Sequence, residues 1–294
     1  MNKILKWINY PLKKKKFSIL FHLYKKIFIF IKYNYPKIID SVIFDTEKFD
    51  KYKLVETNLG KFIVFSDDGG ISRQLFINKQ YNFTSFQRTI KILGRQNLLI
   101  DVGANIGPVC IAAISKKYVK KSIAIEPEIN SYKILKKNIS LNNFETKIKI
   151  FNNAVSNRNE NIKIYLKRGN FGASYIKKFK SKANTVKSIR LDKFYKDILK
   201  KTLIWIDVQG YEAKVLDGAK KLIKKNIPFV IEFWPYAINR YSDKNLIISG
   251  LKKFKYFYDL SDNKKKLPCT NENIEKLFQK YNKKKTTELL LVNF

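Results

Sequence analysis

The chain predicts an α/β fold built on a mostly parallel sheet, and three observations carry that expectation. Short apolar runs recur through its central part, LLID at 98–101, SIAI at 122–125, KIKIF at 147–151, LIWID at 203–207 and FVIEF at 229–233, with helix-like stretches between several of them. The run LLIDVGANIGP, Leu98 to Pro108, joins a strand to a helix through a glycine turn, the form a nucleotide-type pocket takes at the carboxyl edge of such a sheet. Finally, 294 residues at 45% apolar content can bury one large core, while glycine and proline are too scarce for a long linker.

Residues 1–50 stand apart as a basic amphipathic segment. The first 39 hold ten lysines and no acid, and Phe17 to Ile31 sets Ser18, His22, Lys25 and Lys26 as a narrow polar stripe on an otherwise apolar helix. The longest unbroken apolar run, Ile27 to Ile31, is far short of the ~20 residues that span a bilayer. No small-residue cleavage site follows, which argues against a signal peptide. Such a helix suits peripheral contact with an anionic membrane through residues 1–39; it equally suits packing on the catalytic part or on a partner subunit. Residues 51–97 read as a small β/α cap. KYKLVET, KFIVFSDDGG and ISRQLFI alternate like the strands of an antiparallel meander, separated by Asn58-Leu59-Gly60 and Asp67-Asp68-Gly69-Gly70, and a helix over 83–94 leads into the central strand.

Residues 98–294 carry the candidate site. After the strand ending at Asp101, Gly103 and Gly107 allow the backbone to turn sharply, and Pro108 stands where a helix best tolerates proline. Glu126 closes the second strand 23 residues after Gly103, the place where a carboxylate accepts from a ribose diol in folds of this kind. A helix over 129–141 is closed by left-handed Asn142-Asn143. Strand three ends at Asn153 and Ala154, and an inserted hairpin runs on to Arg190, with Phe171 to Ser174 as its mobile turn. Asp192 caps a helix in DKFYKDI. Strand four ends at Val208 and strand five at Trp234. KKFKYFYDL and ELLLVNF flank a helix around Glu272 to Tyr281 and supply the antiparallel closing pair of a seven-stranded sheet.

A dinucleotide-binding turn places glycine at its first, third and sixth positions, but here the third is Asn105. The pattern D-x-G-x-N-x-G, Asp101 to Gly107, instead resembles motif I of class I S-adenosylmethionine-dependent methyltransferases. Together with Glu126-Pro127, LKKNISLNN, NAVS, FGAS, RLD and WIDVQGYEAKVLDGA, it makes the chain resemble the FkbM family from about Gly69 to about Glu232. That resemblance implies a class I methyltransferase (Rossmann-like) fold with S-adenosylmethionine as cofactor. Asp101 and the turn backbone would hold its methionine end, with Gly103, Asn105, Gly107, Glu126, Asn153 and Ala154 as further binding positions. It also implies methyl transfer to a hydroxyl of a sugar, a glycolipid or polysaccharide precursor, or a secondary metabolite. The structural alternative for the turn is a plain strand-helix corner capped by Asp101. One departure stands out: the acid usual after the valine in WIDV is Gln209 here.

Methyl transfer from a sulfonium is an in-line displacement, so the acceptor must be aligned and relieved of its proton. The single histidine, His22, lies in the basic N-terminal segment, which leaves a carboxylate as base: Asp207 first, Glu212 second, with Glu232 nearby at the end of strand five. Glu212 also suits a helix N-terminus and Asp207 a loop brace. Three acids also suit a hard cation such as magnesium, but the spacing fixes no coordination geometry and no metal is assigned. Cys110 and Cys269 form no CxxC pair, so neither zinc nor a disulfide framework is expected and a reducing cytoplasm is the default. No Asn/Asp-Pro-Pro-Tyr follows strand four, and the one Pro-Cys pair, Pro268-Cys269, lies near the C-terminus rather than after that strand, so oxygen is the expected acceptor atom. Tyr175, Trp205, Trp234 and Tyr236 suit either sugar stacking or the core.

The net charge of +36 rests on lysines spread along the whole chain, with only seven arginines. Lysine, Asn, Ile, Phe and Tyr all have A/T-rich codons, so this excess does not by itself call for a nucleic-acid partner. The expected partner is a small-molecule or glycan acceptor. An RNA-modifying methyltransferase and a non-catalytic membrane-surface or scaffold protein are the alternative readings.

Overall fold

The structure is a computed structural model that describes residues 15–46, 50–167, 170–175, 183–262, 265–282 and 285–294. Expectations resting on residues 1–14, or on the side chains of Ser18, His22 and Tyr175, lie outside the described part. The chain divides into two compact units, Met1–Lys48 and Phe49–Phe294. The first contains two helices, Lys15–Asn34 and Pro36–Thr46, separated at Tyr35, just before the proline that cannot continue the first helix.

The second unit contains the strands β1 (Tyr52–Thr57), β2 (Gly60–Phe65), β3 (Gln96–Val102), β4 (Val119–Ile125), β5 (Ile148–Phe151), β6 (Ala154–Val155) and β7 (Asn161–Lys167). They are followed by β8 (Asn170–Tyr175), β9 (Ala183–Ile189), β10 (Thr202–Ile206), β11 (Phe229–Phe233), β12 (Tyr256–Asp259), β13 (Lys266–Pro268) and β14 (Thr287–Val292). Eight of them form one sheet in the order β13-β12-β14-β11-β10-β3-β4-β5. From β5 to β11 the neighbours are parallel, and β14 runs antiparallel between β11 and β12. The seven expected strands are all present, and the three-residue β13 adds an edge to them.

Successive side chains of a strand point to opposite faces, so a sheet covered on both sides needs apolar residues at every position. Strand β3 shows this directly. Leu98, Ile100 and Val102 join a core with the helices Glu212–Asp217, Lys220–Lys224, Pro235–Tyr241, Lys244–Leu251 and Asn271–Lys280. Leu99 faces the other way, into a core shared with the helices Ile71–Asn78, Phe83–Leu93, Pro108–Ser115 and Ile129–Leu141. In β10, Ile204 and Ile206 join the first core, and Leu203 and Trp205 the second.

Three local expectations are corrected. Of the supposed three-stranded meander only β1 and β2 form, as an antiparallel pair, and ISRQLFI is helical. The cause lies in DDGG: Asp68 accepts from the amides of Gly70 (3.0 Å) and Ser72 (2.9 Å), which starts a helix, and Ile71 and Leu75 then bury one helical face. The segment Phe171 to Ser174 lies within β8 rather than forming a turn, in a four-stranded sheet of order β6-β9-β7-β8. DKFYKDI forms only a 3-10 turn, Leu191–Lys196. Asp192 instead accepts from the amides of Lys221 (2.9 Å) and Leu222 (3.2 Å), capping the following helix from outside.

The β1–β2 hairpin is held by two side chains of the helix Ile129–Leu141 and its end. Asn138 and Asn142 are four residues apart and so share a face. Asn142 accepts from the Lys61 amide (2.9 Å) and donates to the Lys61 carbonyl (2.7 Å), while Asn138 does the same with Ile63 (2.6 and 3.1 Å). The two amides thereby take the part of a missing neighbour strand along β2. Asn138 also donates to the carbonyl of Ile106 (2.9 Å), tying the hairpin to the glycine turn. Asn143, not Asn142, takes the left-handed conformation expected at this helix end, with φ 57°.

Replacing Asp192 with alanine removes the external cap of Lys220–Lys224 and should cost ~1–2 kcal/mol in urea unfolding, with Asp192→Asn losing less.

Candidate active site

The site gathers at the carboxyl ends of β3, β4 and β10. Leaving β3, the backbone turns through Gly103 (φ 84°), Asn105 (φ 49°) and Gly107 (φ 92°) before the helix opens at Pro108. At Gly103 the geometry is strict, because a Cβ there would lie 1.9 Å from the carbonyl oxygen of Asp207. The amides of Gly103 and Ala104 donate to the Ile125 carbonyl (2.9 and 3.1 Å), and the amide of Asp207 donates to that of Val102 (3.0 Å). Three strand tips are thus drawn into one corner.

Above that corner lies a narrow cleft of about 70 Å³. Gly103, Asn105, Glu126, Asn153 and Ala154 line one part of it, and Asp207, Gln209 and Tyr211 another. Ile71 and Ile164 lie along its walls, from the helix Ile71–Asn78 and from β7. Of the expected site residues, Asp101, Gly107 and Glu212 do not reach this lining. Asp101, 2% exposed, accepts from the Cys110 amide (3.2 Å) and so fixes the first turn of the helix Pro108–Ser115. Gly107 meets neighbouring side chains: a Cβ there would lie 2.7 Å from Leu135 Cδ1. Glu212 Oε1 accepts from the amides of Val208 (3.1 Å) and Gly210 (3.2 Å), bracing the loop that presents Asp207, while its Oε2 is buried without a hydrogen-bond partner.

Glu126 is held by the turn itself. Its Oε2 accepts from the Asn105 amide (2.8 Å) and its Oε1 from the Glu128 amide (2.7 Å). Burial pushes its pKa up to about 8 despite those two amides. Asn152 fastens the same strand end, donating to the carbonyls of Glu126 (2.9 Å) and Pro127 (3.1 Å).

On the other side, Gln209 donates to both Asp207 Oδ1 (2.7 Å) and Glu232 Oε2 (2.9 Å) from one amide nitrogen. The Tyr81 hydroxyl reaches Asp207 Oδ2 at 3.5 Å. Burial raises Asp207, while hydrogen bonds from Gln209, Glu232 and Tyr81 hold it back. Glu232 is pushed well above the carboxylate range by burial and then by the neighbouring acids, led by Asp207. Glu288 faces Glu232 across the β11–β14 register and accepts from the Ser85 hydroxyl (2.9 Å). Among the described residues no group of three or more His, Cys, Asp or Glu is arranged to hold a metal ion.

Sequence reasoning missed Tyr81, Asn138 and Glu288. Tyr81 lies 126 residues from Asp207, and no local pattern links them. Glu288 had a signal of its own, an acid within the apolar run ELLLVNF that an antiparallel register would place beside β11.

A sheet that is parallel but for β14 and the short edge strand β13, with a glycine corner at the tip of its central strand, fits the class I methyltransferase architecture. Residues 101–285 match the methyltransferase FkbM domain. With more than half of its length matched, the chain belongs to the FkbM methyltransferase family, whose cofactor is S-adenosylmethionine. No curated protein matches it. Among solved structures it is similar to the methyltransferase FkbM from Methylobacillus flagellatus KT, at 14% identity over 89% of this chain and 59% of that one, TM-score 0.43. It is also similar to the M. jannaschii tRNA m1G37 methyltransferase, at 15% identity over 83% and 55%, TM-score 0.40. A third is P. horikoshii TYW2 in complex with MeSAdo, at 13% identity over 82% and 70%, TM-score 0.38. The chain spans less than two thirds of the length of the first two.

Two outcomes follow. Gly103→Ala forces β3 and β10 apart at their tips, so it should lower stability by ~1–3 kcal/mol in denaturant unfolding. Asp101 and Glu212, raised to about 7, and Glu126, raised to about 8, bind protons more tightly folded than at their ordinary values of 3.8 and 4.5. Their contribution to stability is therefore full below about pH 4 and is lost as pH rises through 7 and 8. The melting temperature of the ligand-free protein should fall between pH 6 and pH 9 on the order of several degrees, and Asp101→Asn should flatten that fall.

Proposed function

We propose that the chain is an S-adenosylmethionine-dependent O-methyltransferase of the FkbM type, acting on a hydroxyl of a sugar, a glycolipid or polysaccharide precursor, or a secondary metabolite. One observation carries the reading. In a protein of net charge +36, the described residues that line the cleft at the glycine corner include two acids, Glu126 and Asp207, and no lysine or arginine. A phosphate would find no cation among those residues, whereas a bound sulfonium would draw the acids toward their ionised form.

The donor set fits the adenosyl group. Glu126, fixed by two backbone amides, is placed to accept from a ribose diol, and Asn153 and Ala154 border the place of an adenine. Because the cleft is narrow, Ile71 and Ile164 part to admit a nucleoside. Asp101 and Gly107 act one layer back, holding the helix and the turn in shape. When bound, S-adenosylmethionine supplies an electrophilic methyl on positively charged sulfur.

Asp207 is the base in this reading. Gln209 holds its Oδ1, which leaves Oδ2, on the Tyr81 side, to take the hydroxyl proton of the acceptor as the methyl moves to that oxygen. Glu212 serves by holding the Val208–Gly210 loop rather than by meeting the acceptor. Oxygen is favoured as acceptor because Asp-Val-Gln-Gly follows β10, where amine-methylating enzymes carry Asn/Asp-Pro-Pro-Tyr.

Calorimetric titration with S-adenosylmethionine should give saturable binding that Glu126→Ala weakens by about tenfold or more, since two hydrogen bonds to the ribose are lost. Asp207→Asn should keep cofactor affinity within a few-fold while cutting methyl incorporation into a glycan pool by ~10²-fold or more. Label from the methyl group should resist mild alkali, as an ether does. Label that ribonuclease removes would instead establish RNA as acceptor, and absent cofactor binding would refute the enzyme reading.

A further inference from the structure

We propose that the N-terminal unit docks on an anionic bilayer surface through an apolar face formed by residues 23–42. Along the helix Lys15–Asn34, Leu23, Ile27 and Phe30 are spaced to share one side, and Tyr24 extends it. These four side chains are 54%, 49%, 59% and 53% exposed, and the exposed large apolar groups of the described residues are densest in this helix pair. The helix Pro36–Thr46 adds Ile38 and Val42, one turn apart and each more than half exposed. A run of exposed large apolar side chains on two consecutive helices marks a surface that meets something apolar.

Charge identifies what it meets. By helical spacing Lys26 borders the face on the first helix, and Lys25 and Lys32 lie on the side away from it, adding to the positive charge of the same helix. The first 39 residues contain ten lysines and no acid, and the acids Asp40 and Asp45 enter only in the second helix. A second copy of this chain would bring two lysine-bordered faces together, like charge against like. A polyanionic strand would satisfy the lysines but offer nothing to Leu23, Ile27 and Phe30. An anionic bilayer satisfies both: apolar side chains sink to the level of the acyl boundary while lysine stems reach up to the headgroups. No helix among the described residues is long and apolar enough to cross a membrane, so contact is with the surface. The docking does not depend on the methyl-transfer chemistry.

Flotation of the full chain with vesicles of phosphatidylcholine alone, and of phosphatidylcholine mixed with phosphatidylglycerol, tests the inference. Each lysine near an anionic surface strengthens attachment about fivefold. Partitioning should therefore be at least about tenfold stronger on the mixed vesicles, and added salt should weaken it. Lys25→Glu, Lys26→Glu and Lys32→Glu together should reduce it by about 30-fold or more. Ile27→Ser with Phe30→Ser should reduce it about tenfold while the melting transition of the chain stays in place. Equal partitioning onto phosphatidylcholine alone, a triple lysine variant that floats like the parent chain, or a dimer in sedimentation that the Ile27 and Phe30 changes dissolve would each overturn it.

Discussion

The site depends on one close approach, the passage of the Gly103 backbone over the carbonyl of Asp207. No side chain fits between them, since even a Cβ would lie 1.9 Å from that oxygen. Contact at this range fixes the tip of β3 against the tip of β10, and every group at the cleft inherits its place from that junction. The amide of Asp207 donates to Val102 from one side, and the amides of Gly103 and Ala104 close on Ile125 from the other. Glu126 leaves β4 just beyond this clasp and Asp207 leaves β10 within it, so two acids far apart in sequence stand over one hollow.

Gathering acids in so basic a chain has an electrostatic logic. Lysines dominate the surface, where water screens them, whereas the carboxylates of the site sit where burial raises the cost of ionisation. Amides offset part of that cost: backbone amides at Glu126 and Glu212, and the side-chain amide of Gln209 between Asp207 and Glu232. Gln209 is informative in this respect. Where the family usually carries an acid, a third carboxylate would crowd the other two. The neutral amide instead donates to both.

Much of the architecture could be read in the sequence because doubly covered strands leave an unmistakable mark. LLID, SIAI and LIWID are apolar at consecutive positions, and a strand between two layers needs nothing less. The glycine corner was legible for a similar reason, since few structures other than a tight turn need Gly103 and Gly107 so placed. Local choices were harder to read. ISRQLFI has the composition of a strand, and only the reach of Asp68 back to two amides turns it into a helix. Asp192 sits where a helix cap belongs and does cap a helix, but one that begins 28 residues further on. Of the partners of Asp207, Glu232 was legible as an acid ending the neighbouring strand, whereas Tyr81 comes to it through the fold and spacing along the chain holds no trace of that meeting.

The side chain of Asn138 has a consequence for how the parts of the molecule move together. Its amide grips the outer hairpin at Ile63 and the glycine corner at Ile106 at once, so the hairpin cannot slide without tugging the loop that lines the cleft. A hairpin whose inner side chains belong to the core thereby becomes a lever on the cleft.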